Sequence, residues 1–386
     1  MCGICGKINS DPDKLVETNL IKRMTDTLEH RGPDAEGIYV YNQVGLGHRR
    51  LKIIDLEGGK QPMFNEDGSV VIVYNGEIYN FQELRDVLQK CAHVFKTRSD
   101  TEVLLHGFEQ WETGLFNRLN GMFAFAIWDA REKTLFMARD RMGKKPLYYF
   151  LGDDSVVFGS ELKSLLVDPC VPRDIDPEAL DAYFALGYIP SPKTIFREIF
   201  KLPPACYAFW KQGNLKVSRY WDVIFDDKGH YNEEDAIQGV RDCLTRAVKA
   251  RLISDVPLGA FLSGGIDSSS VVALMSGISN TPVVAAAISF EESRFNEIKF
   301  SRMVAAKYNI QLHEHVVTPD IMQLLPKLVW HFDEPFADSS AIPTYYVSKI
   351  GRQHATVVLS GDGGDEVFAG YTRRYRFEAL ENYLRD

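Results

Sequence analysis

The stretch Leu262–Ser269, Leu-Ser-Gly-Gly-Ile-Asp-Ser-Ser, concentrates the residue types that hold a phosphate. Gly264 and Gly265 carry no side chain to keep an anion from the backbone, and the serine hydroxyls add donors. Asp267 fits that chemistry as a magnesium ligand, the role in which a carboxylate belongs beside a polyphosphate. A second glycine-and-acid turn, Ser360-Gly361-Asp362-Gly363-Gly364-Asp365-Glu366, repeats the combination. At the other end of the chain Cys2 admits several chemistries. Its C-x-x-C spacing to Cys5 is that of a redox pair or of half a zinc site. Removal of Met1 would instead leave Cys2 at the terminus, where its own α-amino group (ordinary pKa near ~8) is a base tethered to the thiol.

Such residues need elements to position them. The apolar run Val256–Phe261 reads as a buried parallel strand and Ser268–Met275 as a helix. The glycines then fall at a strand-to-helix turn whose unpaired N–H groups face an anion. Ala355–Leu359 reads as a second buried strand ahead of the second turn, where strand C-termini of open α/β sheets gather ligands. Pro282–Ile288 is another buried strand, and Glu233–Leu252 a helix leading in. Earlier, the strand-like Val70–Val73 precedes Tyr74–Asn80, Met122–Asp129 and Leu135–Arg139 alternate, and Leu202–Ala205 opens a last hairpin. The polar Asp226–His230 reads as the linker. His313 and His315 share a strand face with no third ligand near, an ordinary strand surface.

At 386 residues the chain is long enough for two domains. Its net charge of −9 argues against nucleic acid as a partner, and no basic run suggests a membrane surface. No apolar run reaches the length of a membrane span, and no signal segment opens the chain. Six scattered cysteines form no secreted disulfide framework, so a cytoplasmic enzyme is expected.

Because no Gly-Lys-Ser/Thr closes the first turn, it is not a P-loop. Every fixed position of S-G-G-x-D-S is present, and the turn resembles the pyrophosphatase loop of enzymes that split ATP into AMP and pyrophosphate while adenylating an acceptor. The order His30–Asp34, His48-Arg49-Arg50-Leu51, Tyr74–Asn80 and Arg98–Glu102 resembles the class II glutamine amidotransferase domain, an N-terminal-nucleophile hydrolase with an α/β/β/α sandwich. That resemblance implies Cys2 as nucleophile, with the Asn75 side chain and the Gly76 N–H as oxyanion hole. It also implies Arg50 and Asp100 as partners of the carboxylate and ammonium of glutamine, Glu77 adding a second acidic contact.

Together, with Val367–Tyr371 after the second turn, the two halves are similar to the glutamine-hydrolysing asparagine synthetases. The resemblance implies a two-domain α/β chain: an amidotransferase domain over 2–218, then a parallel-sheet ATP-pyrophosphatase domain (adenine nucleotide α hydrolase-like) over 232–386, truncated at its C-terminus. ATP contacts are expected from Leu262, Ser263, Gly264, Gly265, Asp267, Ser268, Ile288, Ser360 and Gly361, with Asp362 on the acceptor side and Mg2+ on Asp267 and Asp365. Glutamine would supply ammonia, through a sheltered channel, to an acyl-adenylate of aspartate, in a homodimer that binds neither nucleic acid nor membrane. No Lys or Arg lies between Trp330 and Ser348 to meet the α-carboxylate of aspartate. A sugar acid, peptide or β-amino acid acceptor therefore stays open, as does a fragment limited to glutaminase or nucleotide binding.

Overall fold

The computed structural model describes residues 1–225, 229, 231–290, 297–318, 320–371, 380, 381, 383 and 384. Apart from Gly229, the expected linker at 226–230 lies outside the described residues. Contacts divide the chain into two units: Met1–Lys228 with Met322–Asp338, and Gly229–Ile321 with Ser339–Asp386.

The first unit holds β1 (Gly3–Asn9), β2 (Ala35–Tyr41), β3 (Val44–Arg50), β4 (Met63–Phe64), β5 (Val70–Ile78), β6 (Gly121–Asp129), β7 (Thr134–Arg139), β8 (Tyr148–Leu151), β9 (Ser155–Gly159), β10 (Ile199–Lys201), β11 (Cys206–Lys211) and β12 (Asn214–Arg219). They form two antiparallel sheets, ordered β10-β8-β9-β1-β3-β2 and β12-β11-β7-β6-β5-β4. Alternation along each strand builds the layers. Val71 and Val73 of β5 join Ile4, Leu46, Ala126 and Trp128 between the sheets. Val70, Ile72, Tyr74 and Ile78 join Leu104, Phe116 and Phe125 beneath the helices Phe81–Lys90 and Asp100–Trp111. On the far side, Cys5 packs with Ile21 and Met24 of the helix Thr18–Asp26. This is the α/β/β/α sandwich. The strand expected to stop at Val73 runs on to Ile78, because Tyr74 and Ile78 keep the alternation and pairing with β6 satisfies the backbone.

Met322–Asp338 falls in this unit, although the sequence reading gave it to the second domain. Ion pairs account for the difference: Lys163 Nζ lies 2.9 Å from Asp333 and Lys201 Nζ 2.5 Å from Glu334. Lys163 also reaches Glu161, which His30 and Arg31 meet at 3.0 and 2.8 Å. Burial pushes the Glu161 carboxyl up, but these three partners overcome it and hold the pKa at about 2. A folded pKa below the unfolded one gives stability that is full above the unfolded value and drains as pH falls toward 2. Glu161→Gln should therefore cost roughly 3 kcal/mol in urea melts at neutral pH. Its gap from the parent chain should narrow as pH falls from 5 toward 3; a gap constant with pH would assign the loss to packing instead.

The second unit holds β13 (Leu258–Phe261), β14 (Val284–Phe290), β15 (Gln311–Val317) and β16 (Val357–Leu359), all parallel in the order β15-β14-β13-β16. Its core joins Val248, Ala260, Leu262, Val272, Met275, Ala285 and Leu359. The chain steps outward from β13 to β14 and β15, then returns to the opposite side of β13 as β16. Connections therefore diverge between β13 and β16, the place where an open parallel sheet leaves a crevice at its C-terminal ends. Among the described residues, no helix is long and apolar enough to cross a membrane.

Candidate active sites

Cys2 sits immediately before β1, and its Sγ lies 3.4 Å from the Leu51 N–H that donates to it. It lines a pocket with Arg50, Gln61, Tyr74, Gly76, Glu77 and Asp100. Cys5 is in the buried cluster beneath the helix Thr18–Asp26, whereas Cys2 lines the pocket, and both cysteines are free. Burial raises the Cys2 thiol; the α-amino group at the chain start, the Leu51 contact and Arg50 oppose it, and Glu77 adds to it. A thiol held neutral in this way needs a base at the sulfur before it can attack.

Asn75, between the pocket-lining Tyr74 and Gly76, is buried with neither side-chain amide atom hydrogen-bonded. A buried unpaired amide costs stability and is retained where a ligand completes it. By alternation it shares the face of Val71 and Val73, toward the sheet that carries β1. Gly76 has to be glycine, since a Cβ there would stand 2.2 Å from the Met122 carbonyl oxygen.

Both signs of charge line this pocket. Arg50 donates to the carbonyls of Asp55, Ile54 and Leu56 at 2.7, 3.1 and 3.2 Å, contacts that orient the guanidinium without neutralising it. Asp100 opens the helix Asp100–Trp111 behind its N-cap Ser99, and accepts from Tyr74 Oη at 2.8 Å and Ile78 N at 2.9 Å. Burial raises Asp100 against those bonds, and burial with the Asp100 charge raises Glu77. A carboxyl raised by burial and one raised further by its neighbour's negative charge are both relieved by a cation arriving beside them. Lys145, in the turn after β7, carries no signal in the sequence, yet it is buried with Nζ 2.7 Å from Met1 Sδ. Burial and Arg31 lower its pKa to about 8.

In the second unit β13 leads through Leu262–Gly265 into the helix Ile266–Ile278, which starts two residues earlier than the sequence reading placed it. Asp267 therefore lies in the first helical turn. Gly264 takes φ +87°, and a Cβ there would come within 2.7 Å of Phe300 Cβ and of Ser301 N. Ser263 Oγ and Ser268 Oγ sit 3.0 Å apart across the turn, and Gly265 N donates to Ser263 Oγ at 3.2 Å. The second turn packs on the first: a Cβ at Gly361 would lie 2.7 Å from Ser268 N, and one at Gly364 2.3 Å from Asp267 Cγ. Asp267 thus rests beside the residue preceding Asp365, and a side chain at either glycine would fill the cradle. Asp365 Oδ1 lies against Gly370, and Asp362 accepts from Ser360 Oγ at 2.9 Å. Ile288, near the C-terminal end of β14, packs against the buried cluster of Ala286, Val317 and Ile350. Leu262 is the expected ligand residue that stands apart: its side chain is in the core, its N–H donates to Ala286 O and its carbonyl accepts from Ser301 Oγ. His313 stacks on His354 with ring centroids 3.5 Å apart, so a third histidine comes near the His313 face of β15, where the sequence suggested none.

Residues 1–221 match the family described as a glutamine amidotransferase domain, and residues 239–385 the family described as asparagine synthase. The chain is 41% identical to "Asparagine synthetase (glutamine-hydrolyzing) 1" of Bacillus subtilis, across 96% of its own length and 59% of that protein's. It is 39% identical to "Putative asparagine synthetase (glutamine-hydrolyzing) 2" of Methanocaldococcus jannaschii, across 96% of this chain and 76% of that one. "Asparagine synthetase (glutamine-hydrolyzing) 3" of Bacillus subtilis is 36% identical over 96% of this chain and 63% of its own. The chain therefore spans about three fifths of the length of these Bacillus relatives.

Proposed function

This chain belongs to the glutamine-hydrolysing asparagine synthetase family, and from that premise we propose that it moves the amide nitrogen of glutamine onto a carboxylate activated by ATP. The observation that carries the first half is the pocket at Cys2: a half-buried thiol, an unpaired amide at Asn75 on a strand that lines it, and one cation with two carboxyls among its lining residues.

With Met1 removed, the α-amino group of Cys2 takes the thiol proton as Sγ attacks the side-chain carbonyl of glutamine. The oxyanion receives hydrogen bonds from Asn75 Nδ2 and the Gly76 N–H. The ammonium then returns its proton to the leaving NH2, ammonia departs, and water hydrolyses the thioester to glutamate. Arg50 holds the α-carboxylate of the substrate, while Asp100 and Glu77 hold its ammonium.

In the second unit the Ser263–Ser268 turn and the Ser360–Gly361 backbone bind the phosphates of ATP, and Ile288 lines the adenine side. Asp267 and Asp365 would hold Mg2+, which would supply positive charge against the departing pyrophosphate. An acceptor carboxylate attacks the α-phosphorus, pyrophosphate leaves, and ammonia displaces AMP from the acyl-adenylate. Aspartate is the acceptor in this reading. A different carboxylic acid is the second reading, favoured by the lack of Lys or Arg between Trp330 and Ser348. Pyrophosphate release with glutamine and a panel of aspartate, sugar acids, peptides and β-amino acids decides between them: the highest kcat/KM should belong to aspartate, and a higher value for another acid replaces it.

Asn75→Ala should lower kcat for glutamine hydrolysis by about 10²–10³-fold, roughly 3–4 kcal/mol, with KM little changed. A rise in KM at constant kcat would assign Asn75 to ground-state binding.

A further inference from the structure

Away from the glutamine pocket, Glu66, His93, His106 and Glu109 each offer a ligand atom, and those four atoms lie within 4.8 Å of one another. The helix Asp100–Trp111 supplies His106 and Glu109, three residues apart on one face. His93 follows the helix Phe81–Lys90, and Glu66 follows β4. We propose that this cluster is a structural site for a borderline divalent metal ion, zinc fitting best, bound by Nδ1 of both histidines and one oxygen from each glutamate.

Glu109 Oε2 and Glu66 Oε2 lie 3.4 and 3.6 Å from His106 Nδ1, near the spacing of ligands around one ion, and the four atoms together fall within 4.8 Å, so an ion would draw them inward. A tetrahedral ion with bonds of ~2.0–2.1 Å holds its ligand atoms roughly 3.3–3.5 Å apart. His93 Nε2 meets Gln110 Oε1 at 3.2 Å, the outer contact by which a metal-binding histidine turns the lone pair of its first nitrogen toward the ion. His106 Nε2 is buried without a hydrogen bond, with Glu102 Oε1 3.7 Å away. Glu102 is itself fixed by Lys96 N, Thr97 N and Thr97 Oγ1 at 2.7, 2.8 and 2.6 Å. Asn65 Nδ2 donates to Glu109 Oε1 at 2.7 Å, and Val94 N to Glu66 Oε1 at 3.3 Å.

Two imidazole nitrogens with two carboxylates suit zinc or a neighbouring first-row ion, whereas magnesium and calcium take oxygen throughout. His106 is buried and Glu66 exposed, which leaves an entry path on the Glu66 side. The ion would clamp two separate segments, those of Glu66 and His93, to the helix that begins at Asp100. It would be structural, and it does not depend on the activity proposed above.

The test is metal uptake by the full chain after chelator treatment, read by calorimetry with Zn2+ and by visible absorption with Co2+. One equivalent of zinc is expected, together with a raised melting temperature and the intense visible bands of four-coordinate cobalt without a near-ultraviolet thiolate band. His93→Gln and Glu66→Gln lie outside the helix, so the folded chain should survive them; each should weaken zinc at least about tenfold. His106→Gln should abolish uptake. No zinc uptake by the parent chain would leave an ion network around His106 and overturn the proposal. Uptake unchanged by His93→Gln and Glu66→Gln, or carrying a thiolate band, would place the metal on the cysteines and overturn it equally.

Discussion

Cys2→Ala is expected to remove glutamine hydrolysis, by a factor on the order of 10⁴ or more in kcat/KM, roughly 5 kcal/mol of transition-state stabilisation. Pyrophosphate release supported by added ammonia should stay within about twofold of the parent chain. No other side chain can replace the lost sulfur: Cys5 is fully buried in the helix-facing layer, where burial pushes its thiol far up. A chain that keeps Met1 should behave like Cys2→Ala, because its α-amino group is then separated from the thiol by a peptide bond and cannot act as the tethered base. Equal loss of the glutamine-driven and ammonia-driven reactions would show that the two reactions are not carried by separate sites.

Asp267→Asn is the counterpart in the second unit. Pyrophosphate release should fall about 10²–10³-fold, whether the nitrogen comes from glutamine or ammonia, while glutamate release without ATP is unchanged. A competing account is available, because a carboxylate in the first turn of the helix Ile266–Ile278 is favoured by the helix dipole alone. That role is worth only about 0.3–1 kcal/mol, so removing it would lower melting temperature slightly and leave the chemistry intact. The contact of Asp267 with Gly364, beside Asp365, favours the catalytic account. An Asp267→Asn chain with unimpaired pyrophosphate release would favour the dipole.

What the sequence disclosed follows from how local each signal is. The alternation of Val70 to Val73 and of Met122 to Asp129 shows in neighbouring residues, and both segments become two-sided strands of the sandwich. The Leu262–Ser269 turn is likewise local, since its glycines and serines act on their own backbone. The helix after it starts two residues ahead of the expected Ser268, because Ile266 is exposed and stands off the buried face that marks a helix. Leu262 shows the limit of motif reading: a residue inside a binding stretch has its side chain in the core. Long-range juxtapositions left no trace. Lys145 meets Met1 only because the turn after β7 folds back to the chain start, and Met322–Asp338 joins the first unit through ion pairs with Lys163 and Lys201. The Glu102, His106 and Glu109 spacing was visible on one helix, but His93 and Glu66 converge on it only in three dimensions.

The transfer itself is the central claim, and tracing the nitrogen tests it most directly. Glutamine labelled with 15N in its side-chain amide, supplied with ATP, magnesium and aspartate, should give labelled asparagine, with glutamate, AMP and pyrophosphate formed in equal amounts. Glutamate and labelled free ammonium appearing without AMP, or ADP appearing in place of AMP, would contradict the account.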